Sequence, residues 1–500
     1  GNGPAALLLS YLLHGHLPVY AGGHHDSVLD SKLCDKPDLR CLTPDLYAHF
    51  HSSLRYSTQA LPINTLLDTL IRPNADTTID SRTCVDWIFR PDVAVTHAIL
   101  GNAPAPGGQW TEDPVSASAS IGTLSYAEML SLPGYSFADH HQRVHGEPLP
   151  DFLRPSREEV ASYFAAYPSA VGISDVIHNN CYVERISRTK DGFFIEPQRL
   201  QCKHLVLATG IFSINIPPPA VLRPLAPLHS DSKPLLVVGS GFSAADVIIS
   251  APPSQKIIHL YNWAPEERPS PLRGCHPQAY PEYAMVYRQM KQAAAEDERH
   301  ASTPGVKRKV NPFAANRDWA DVYEGLPNAE IVSVHQSDAE RDHDVAHVQI
   351  RTCKGQIKEF VIGSFAYVVG RRGTLDYLHE DLRGEVLKDL RVNDSSLISG
   401  RTLRPKFEEN NFEVTQDVFV IGSLAGDSLI RHAYGSCVFV GGKIMSGNTR
   451  RCCESNGDER ERATPSPSST SSTERLPRVR GGMAHNDLHI DRRQFVRGET

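Results

Sequence analysis

One unit in the middle of the chain constrains the fold more than any other feature: an apolar stretch that ends in a glycine-rich turn. Residues Leu235-Leu236-Val237-Val238 have the length and continuity of a strand that is buried on both faces. Gly239-Ser240-Gly241-Phe242-Ser243-Ala244 follows in the form G-x-G-x-x-A, and an apolar helix pattern comes next. Strand, turn and helix in this order predict a Rossmann-like unit. Its dinucleotide-binding residues are then Gly239, Gly241 and Ala244.

A second turn of the same form opens the chain. Gly1, Gly3 and Ala6 have the G-x-G-x-x-A spacing, and an apolar helix pattern follows them to Leu13. Free N–H groups and the helix dipole at such a helix start bind a pyrophosphate. Because a dinucleotide fold has a buried strand before its first glycine, we expect a further strand upstream of Gly1. The sequence thus predicts two dinucleotide sites.

Two later segments indicate that the first site binds FAD. Leu205-Val206-Leu207 predicts a strand that ends in Ala208-Thr209-Gly210, a tripeptide often seen where a flavoprotein chain leaves its FAD domain for an inserted NADPH domain. Near the end of the chain, a strand pattern reaches Gly422, and Gly426-Asp427 is predicted to open a helix. Asp427 would accept a hydrogen bond from the ribitol of FAD, with the helix N-terminus facing the flavin. A simple helix cap at Asp427 is the alternative.

The second site is expected to bind NADPH. The strand pattern Ile257 to Tyr261 is followed by Asn262-Trp263 instead of an acidic residue, so no carboxylate binds a ribose 2′-hydroxyl there. Arg268 lies just beyond, and its charge favours a 2′-phosphate. A solvated loop arginine is an equal alternative.

The sequence gives little support to three other kinds of site. Ser243 has the strand-turn-helix setting of a hydrolase nucleophile elbow, but that interpretation leaves the first turn unexplained. The ten cysteines include no C-x-x-C, which argues against a disulfide reductase. The histidines have no metal-ligand spacing, so we expect no metal. No catalytic residue is identified.

Charge and hydropathy bear on partners and location. The 500 residues include 51 basic and 58 acidic side chains, which gives a net charge of −7. Because nucleic acids are polyanions, this charge argues against a nucleic-acid partner. No apolar stretch approaches the roughly 20 residues of a membrane span, so no integral membrane association is expected. We expect an intracellular, cytoplasmic protein. The basic group Lys307-Arg308-Lys309 leaves nuclear presence open.

The segment between the first turn and Ala208 carries a resemblance to a known family. Pro106-Gly107-Gly108-Gln109-Trp110 resembles the stretch that flavin-containing monooxygenases wrap around the isoalloxazine, with Gly107 and Gly108 approaching the ring and Trp110 covering flavin or nucleotide. A turn followed by a core tryptophan is the alternative. Together with residues 259–277 and 421–431, the chain resembles the oxidative stress-induced growth inhibitor family, a branch of the flavin-monooxygenase-like proteins. The resemblance implies FAD and NADPH as cofactors and a link to restraint of cell growth. It implies no substrate.

These patterns predict an α/β fold with two Rossmann-like dinucleotide-binding domains. The FAD domain comprises residues 1–215 and 376–448, and the NADPH domain, 216–375, is inserted into it. Residues 449–500 are rich in Ser, Thr, Pro, Arg and Glu, so a disordered tail is expected.

The function expected from this organisation is that of an NADPH-using flavin monooxygenase. Its substrate would be an unidentified small molecule or protein side chain. The alternative is a catalytically silent scaffold or sensor that keeps the flavin fold and regulates growth through protein partners. The missing first strand favours this alternative, as does the lack of a ribose-binding acid at Ala21-Gly22-Gly23-His24, after the strand pattern Leu17 to Tyr20. The complete second turn and the Gly426-Asp427 pair favour the enzyme.

Overall fold

The computed structural model describes residues 1–41, 60–73, 82–298, 317–336, 345–390, 397–407 and 412–455. Its α-helices are α1 (Pro4–Leu13), α2 (Ser27–Cys34), α3 (Pro62–Ile71), α4 (Phe137–His145), α5 (Arg157–Val171), α6 (Phe242–Ser250), α7 (Pro281–Glu298), α8 (Trp319–Val322), α9 (Glu380–Leu387) and α10 (Tyr434–Ser455). Its strands are β1 (His16–Tyr20), β2 (Val85–Phe89), β3 (Ile99–Leu100), β4 (Ile177–His178), β5 (Arg185–Thr189), β6 (Gly192–Glu196), β7 (Leu200–Cys202), β8 (Leu205–Leu207), β9 (Ile214–Asn215), β10 (Leu235–Val238), β11 (Ile257–Tyr261), β12 (Tyr323–Pro327), β13 (Glu330–Gln336), β14 (Ala346–Arg351), β15 (Ile357–Ile362), β16 (Ser364–Tyr367), β17 (Arg371–Thr374), β18 (Leu397–Ile398), β19 (Glu413–Thr415) and β20 (Val418–Val420). The predicted α/β class is confirmed.

Four parallel strands form the sheet that carries the second glycine turn. Their order is β12-β11-β10-β16, and every neighbouring pair is parallel. Strand β11 is buried along its whole length, as expected for a strand covered on both faces. Helix α6 makes the crossover that two parallel neighbours require between β10 and β11. The carboxyl ends of these strands therefore share one edge, where doubly wound sheets bind their ligands.

Shorter parallel pairings surround the first glycine turn. Strand β8 pairs with β20, and β3 pairs with β4. The amino group of Gly1 donates to the carbonyl oxygen of Leu100 at 2.7 Å. A Cβ added to Gly1 would lie only 2.4 Å from the carbonyl oxygen of Ala208. The turn thus lies at the carboxyl ends of β3 and β8.

Helix α1 forms the centre of the largest hydrophobic cluster. Its residues 6–13 are all buried, which agrees with a sequence that is apolar on every side. It contacts α5, where the rings of Tyr163, Phe164 and Tyr167 are fully enclosed. The first glycine turn is therefore anchored to a rigid core.

Residues Gly1–Thr449 form one compact unit. The proposed boundaries 1–215, 216–375 and 376–448 stay predictions. Helix α10 continues to Ser455, past the predicted start of the tail at residue 449, because residues 449–455 contain neither proline nor glycine. Residues 456–500, the rest of the predicted tail, lie outside the described residues, as does Lys307-Arg308-Lys309.

Candidate functional site

The first glycine turn presents an open helix N-terminus. Gly3 is the N-cap residue of α1, and no side chain caps the helix there. No atom lies within 4 Å of the position that a Cβ of Gly3 would take. Gly1 is in tight contact with the backbone at Ala208, and Ala6, 7% exposed, packs into the core behind the turn. Free N–H groups at the start of a helix, behind such a turn, are the arrangement that binds a phosphate.

The Gly-Gly-x-Trp group lies directly against this turn. The Gly107 N–H donates to the carbonyl oxygen of Asn2 at 2.8 Å. Gly107 and Gly108 have φ values of +124° and +59°, a left-handed region that favours glycine. A Cβ on Gly108 would approach Gly3 Cα to 3.1 Å. The structure therefore brings together two groups that stand a hundred residues apart in the sequence.

The residues next to Gly108 fit a bound flavin nucleotide. The side-chain Oε1 of Gln109 is buried and has no hydrogen-bond partner among the described residues. A buried acceptor without a donor costs about 1–3 kcal/mol, so this oxygen suits a ligand that donates. The half-buried Trp110 packs near Phe164, with 6.4 Å between ring centroids. Sequence analysis gives Gln109 no role, because a sequence pattern does not show which side-chain atoms are buried without a hydrogen-bond partner.

Asp427 has a different environment from the one predicted. Its Oδ2 accepts hydrogen bonds from the Leu61 N–H at 2.8 Å and from Asn64 Nδ2 at 2.7 Å. The Oδ1 of Asn64 in turn accepts from the Ser436 N–H, in the first turn of α10. Asp427 is 6% exposed, and its Oδ2 stabilises the start of α3.

The prediction that Gly426-Asp427 opens a helix is wrong. Gly426, with φ +111°, ends the short 3-10 helix Gly422–Ala425 instead, and α10 begins only at Tyr434. The left-handed conformation of Gly426 stops the chain from continuing as a helix. Asn64 accepts from one N–H in the first turn of α10, and the flavin-facing role of this helix end stays a prediction.

The second glycine turn has the predicted geometry. Gly239 has φ +149°, and a Cβ there would lie 2.5 Å from the Val368 carbonyl oxygen. Gly241 is the N-cap of α6, without a side-chain cap and with open space where a Cβ would point. Ala244 is 1% exposed, and its Cβ would be 3.4 Å from a Cβ at position 239. A small residue is therefore needed at 244 for the helix to pack on the turn.

A cleft of about 920 Å³ opens above this turn. Its described lining includes Gly239, Gly241 and Asn262 and contains no carboxylate. Arg268 is exposed and does not line the cleft, so its role in nucleotide binding stays a prediction. The arginine that lines the cleft is Arg371, which sequence analysis missed because it follows β16, far along the chain from the turn.

Asp113, which follows the Gly-Gly-x-Trp group in the sequence, forms ion pairs with two arginines, one of which lines the cleft. Its carboxylate contacts Arg371 at 3.2 Å and Arg157 at 3.1 Å. Two guanidinium groups thus share one carboxylate, and Arg371 also lines the cleft. Nearby, burial raises the pKa of the Asp246 carboxyl, and the Tyr283 hydroxyl donates to it at 2.7 Å. Asp113 and Asp246 thus lie near the two arginines, and the charge that the cleft lining itself offers an anion is that of Arg371.

The alternative of a hydrolase elbow has little geometric support. Ser243 lies in the first turn of α6 and does not have the positive φ of a strained elbow. Ser243 occupies the last x of the G-x-G-x-x-A pattern, just after the start of the helix.

Neither a metal site nor a membrane-spanning helix is found in the described part of the chain. Within the described ranges, no three His, Cys, Asp or Glu side chains are grouped closely enough to hold a metal ion. In the same part of the chain, no helix is sufficiently long and apolar to cross a bilayer.

Comparison with known proteins gives relatives along most of the chain. Mouse oxidative stress-induced growth inhibitor 1 is 25% identical over 90% of this chain and 95% of its own length. Human oxidative stress-induced growth inhibitor 2 is 23% identical over 88% of this chain and 91% of its own. Among solved structures, a flavin-containing monooxygenase from Stenotrophomonas maltophilia is similar at 15% identity, 71% and 92% coverage and a TM-score of 0.39.

No protein-family model matches the chain. The similarity to the two growth-inhibitor relatives covers about nine-tenths of the chain. The resemblance to the oxidative stress-induced growth inhibitor family is therefore confirmed.

Proposed function

We propose that this chain is an FAD-dependent, NADPH-using oxidoreductase of the monooxygenase type. The observation that carries the proposal is the pair of uncapped helix N-termini at Gly3 and Gly241, each behind a tight glycine turn. A single chain with two such pyrophosphate sites fits a protein that passes reducing equivalents between two dinucleotides. When bound, FAD supplies the chemistry, by accepting a hydride from NADPH and passing electrons to oxygen.

The residues of the chain act by binding, orienting and excluding water. The N–H groups at the starts of α1 and α6 bind the two pyrophosphates, and Arg371 adds positive charge beside the second. Gly107 and Gly108 let the backbone approach the first nucleotide closely, and the neighbouring Trp110 shields it from solvent. Positioning and shielding are the main tasks of a protein whose cofactor does the chemistry.

A silent scaffold is the second candidate, and one observation favours it. The Asp427 oxygen Oδ2 already binds Leu61 and Asn64, so part of the expected ribitol contact is occupied by the chain. In this version the protein binds nucleotides without turnover and acts through protein partners. The names of its relatives lead us to propose restraint of growth in either version, with a small molecule or a protein side chain as the substrate of the enzyme.

We expect the purified full-length protein to carry non-covalent FAD. The open turn at Gly3 and the unpaired Oε1 of Gln109 both provide contacts for it. The measurement is an absorption spectrum, followed by heat release and chromatographic identification of the flavin. A colourless protein that takes up no FAD on incubation contradicts the enzyme and the flavin scaffold alike. Anaerobic NADPH then separates the two, because only the enzyme bleaches the flavin.

We expect NADPH to reduce the flavin at least about tenfold faster than NADH at low, equal concentrations. Asn262 follows β11, where a carboxylate would otherwise accept a hydrogen bond from the ribose 2′-hydroxyl and repel a 2′-phosphate. The variant Asn262→Asp should reverse the preference, and Asn262→Ser, which adds no charge, should leave its direction unchanged. Anaerobic stopped-flow absorbance measures both rates. Equal rates with the two nucleotides in the wild type would remove the assignment of NADPH.

A further inference from the structure

A histidine is enclosed in the middle of the parallel sheet, beneath the second glycine turn. His259 lies on β11, between β10 and β12, and is 0% exposed. Burying an imidazole costs free energy unless both ring nitrogens are hydrogen-bonded. Sequence analysis gave this residue no role, because one histidine within an apolar strand has no motif around it.

Both ring nitrogens of His259 have partners that fix their hydrogens. Nε2 lies 2.7 Å from the carbonyl oxygen of Gly239, which can only accept, so Nε2 donates. Nδ1 lies 2.8 Å from the hydroxyl of the half-buried Tyr323, which therefore donates to it. Burial lowers the pKa of His259 to about 4, so the ring is neutral at physiological pH. The ring holds one tautomer and one orientation.

Gly239 is held from three directions. Its N–H donates to the Leu260 carbonyl oxygen at 3.0 Å, and its carbonyl accepts from His259. Its Cα faces the Val368 carbonyl closely enough to exclude any Cβ. Strand β11 thus fixes both polar groups of the residue with which the turn begins.

The direction of the Gly239 carbonyl sets the direction of the next N–H. In a trans peptide the C=O and the following N–H point in opposite directions. Because the Gly239 oxygen points down to His259, the Ser240 N–H points away from the sheet interior, and Ser240 lines the cleft. That N–H has no hydrogen-bond partner among the described residues. It is placed to donate to an anion in the cleft.

We infer that His259 is a positioning residue for nucleotide binding, which holds the Gly239–Ser240 peptide so that its N–H donates to the pyrophosphate of NADPH. The inference rests on the proposed function, since it assigns the cleft to a dinucleotide. His259 itself contacts no ligand. Tyr323 acts one step further away, by keeping the hydrogen of the ring on Nε2.

The test measures NADPH affinity in variants that retain FAD. His259→Leu removes both ring bonds and should raise the Kd for NADPH by about tenfold or more. His259→Gln keeps one donor and one acceptor and should restore much of the affinity. Tyr323→Phe keeps the bond to Gly239 and should weaken binding by about threefold. Fluorescence titration or calorimetry gives each Kd, and FAD content is measured alongside.

Gln255→Leu is the matched control for a general loss of stability. Gln255 is also buried, and its Nε2 donates to the carbonyls of Ser230 and Lys233, away from the cleft. This variant should lower the melting temperature and leave the Kd for NADPH within about twofold of the wild type.

The outcomes separate this inference from the proposed function. If the wild type binds NADPH and a folded His259→Leu binds it equally well, or if Gln255→Leu weakens binding as much, the inference is overturned and the proposed function stands. If His259→Leu does not fold, Tyr323→Phe decides in the same way, and unchanged affinity there overturns the inference. A wild type without measurable affinity for NADPH overturns the proposed function itself, and the inference with it.

Discussion

Gly241→Asp is expected to abolish NADPH binding while FAD stays bound and the fold stays intact. Gly241 is the uncapped N-cap of α6, with φ −104° and ψ −170°, an extended conformation that aspartate adopts readily. As a helix cap, the carboxylate should stabilise the fold by about a few tenths of a kcal/mol relative to glycine. As a ligand contact, it puts a negative charge where the pyrophosphate binds. At 4 Å and an effective dielectric constant of 20, that repulsion is about 4 kcal/mol, close to a thousandfold in Kd.

Two companion variants make this result specific. Gly241→Ser adds a neutral cap of similar size and should weaken NADPH binding far less than Gly241→Asp does. Ser243→Ala should have little effect on either cofactor. NADPH affinity, FAD content and melting temperature are measured for all three. An esterase activity that disappears in Ser243→Ala would replace the nucleotide assignment with the hydrolase elbow.

Gly3→Asp is expected to give the reciprocal result, with FAD lost and the NADPH site unaffected. Gly3 has φ −80° and ψ 177° at the uncapped start of α1, and a side chain there meets open space. Aspartate should therefore cap α1 without strain. Its charge would meet the pyrophosphate of FAD, with the same repulsion of about 4 kcal/mol. The protein should purify colourless, fold normally and still bind NADPH.

Gly3→Ser is the neutral control, and it should retain most of the flavin. The measurements are FAD stoichiometry after incubation with excess FAD, the Kd for NADPH and the thermal midpoint. Full flavin occupancy in Gly3→Asp would place FAD away from this turn and would undo the assignment of Gly1, Gly3 and Ala6.

The local units of this fold follow from local sequence patterns. The apolar stretch Leu235-Leu236-Val237-Val238 is β10 as predicted, and the helix after the second turn begins at Phe242. Such segments are predictable because strand burial, glycine conformation and helix start are each encoded within a few neighbouring residues. The association of Gly107-Gly108 with the first turn was indicated only by resemblance to a family.

Side-chain pairings between distant segments could not be predicted. Asp427 is bound by Leu61 and Asn64, more than 360 positions earlier, and no local pattern marks such a partner. For the same reason Arg371 was overlooked in favour of Arg268, which lies nearer to the turn in sequence but outside the cleft in space. Proximity along the chain is a poor guide to charge placement when a sheet brings together strands from different regions.

The pairing of β8 with β20 has a consequence for the synthesis of the protein. About 210 residues separate these two strands, and the whole four-stranded sheet is translated between them. At about 5–20 residues per second, the ribosome needs roughly 10 to 40 s to deliver the second strand after the first. During this interval β8 lacks its parallel neighbour and exposes an unpaired edge, which is a template for aggregation. The β8–β20 pair can therefore form only after the four-stranded sheet has been synthesised, and the shortness of β8, three residues, limits the edge it exposes until then.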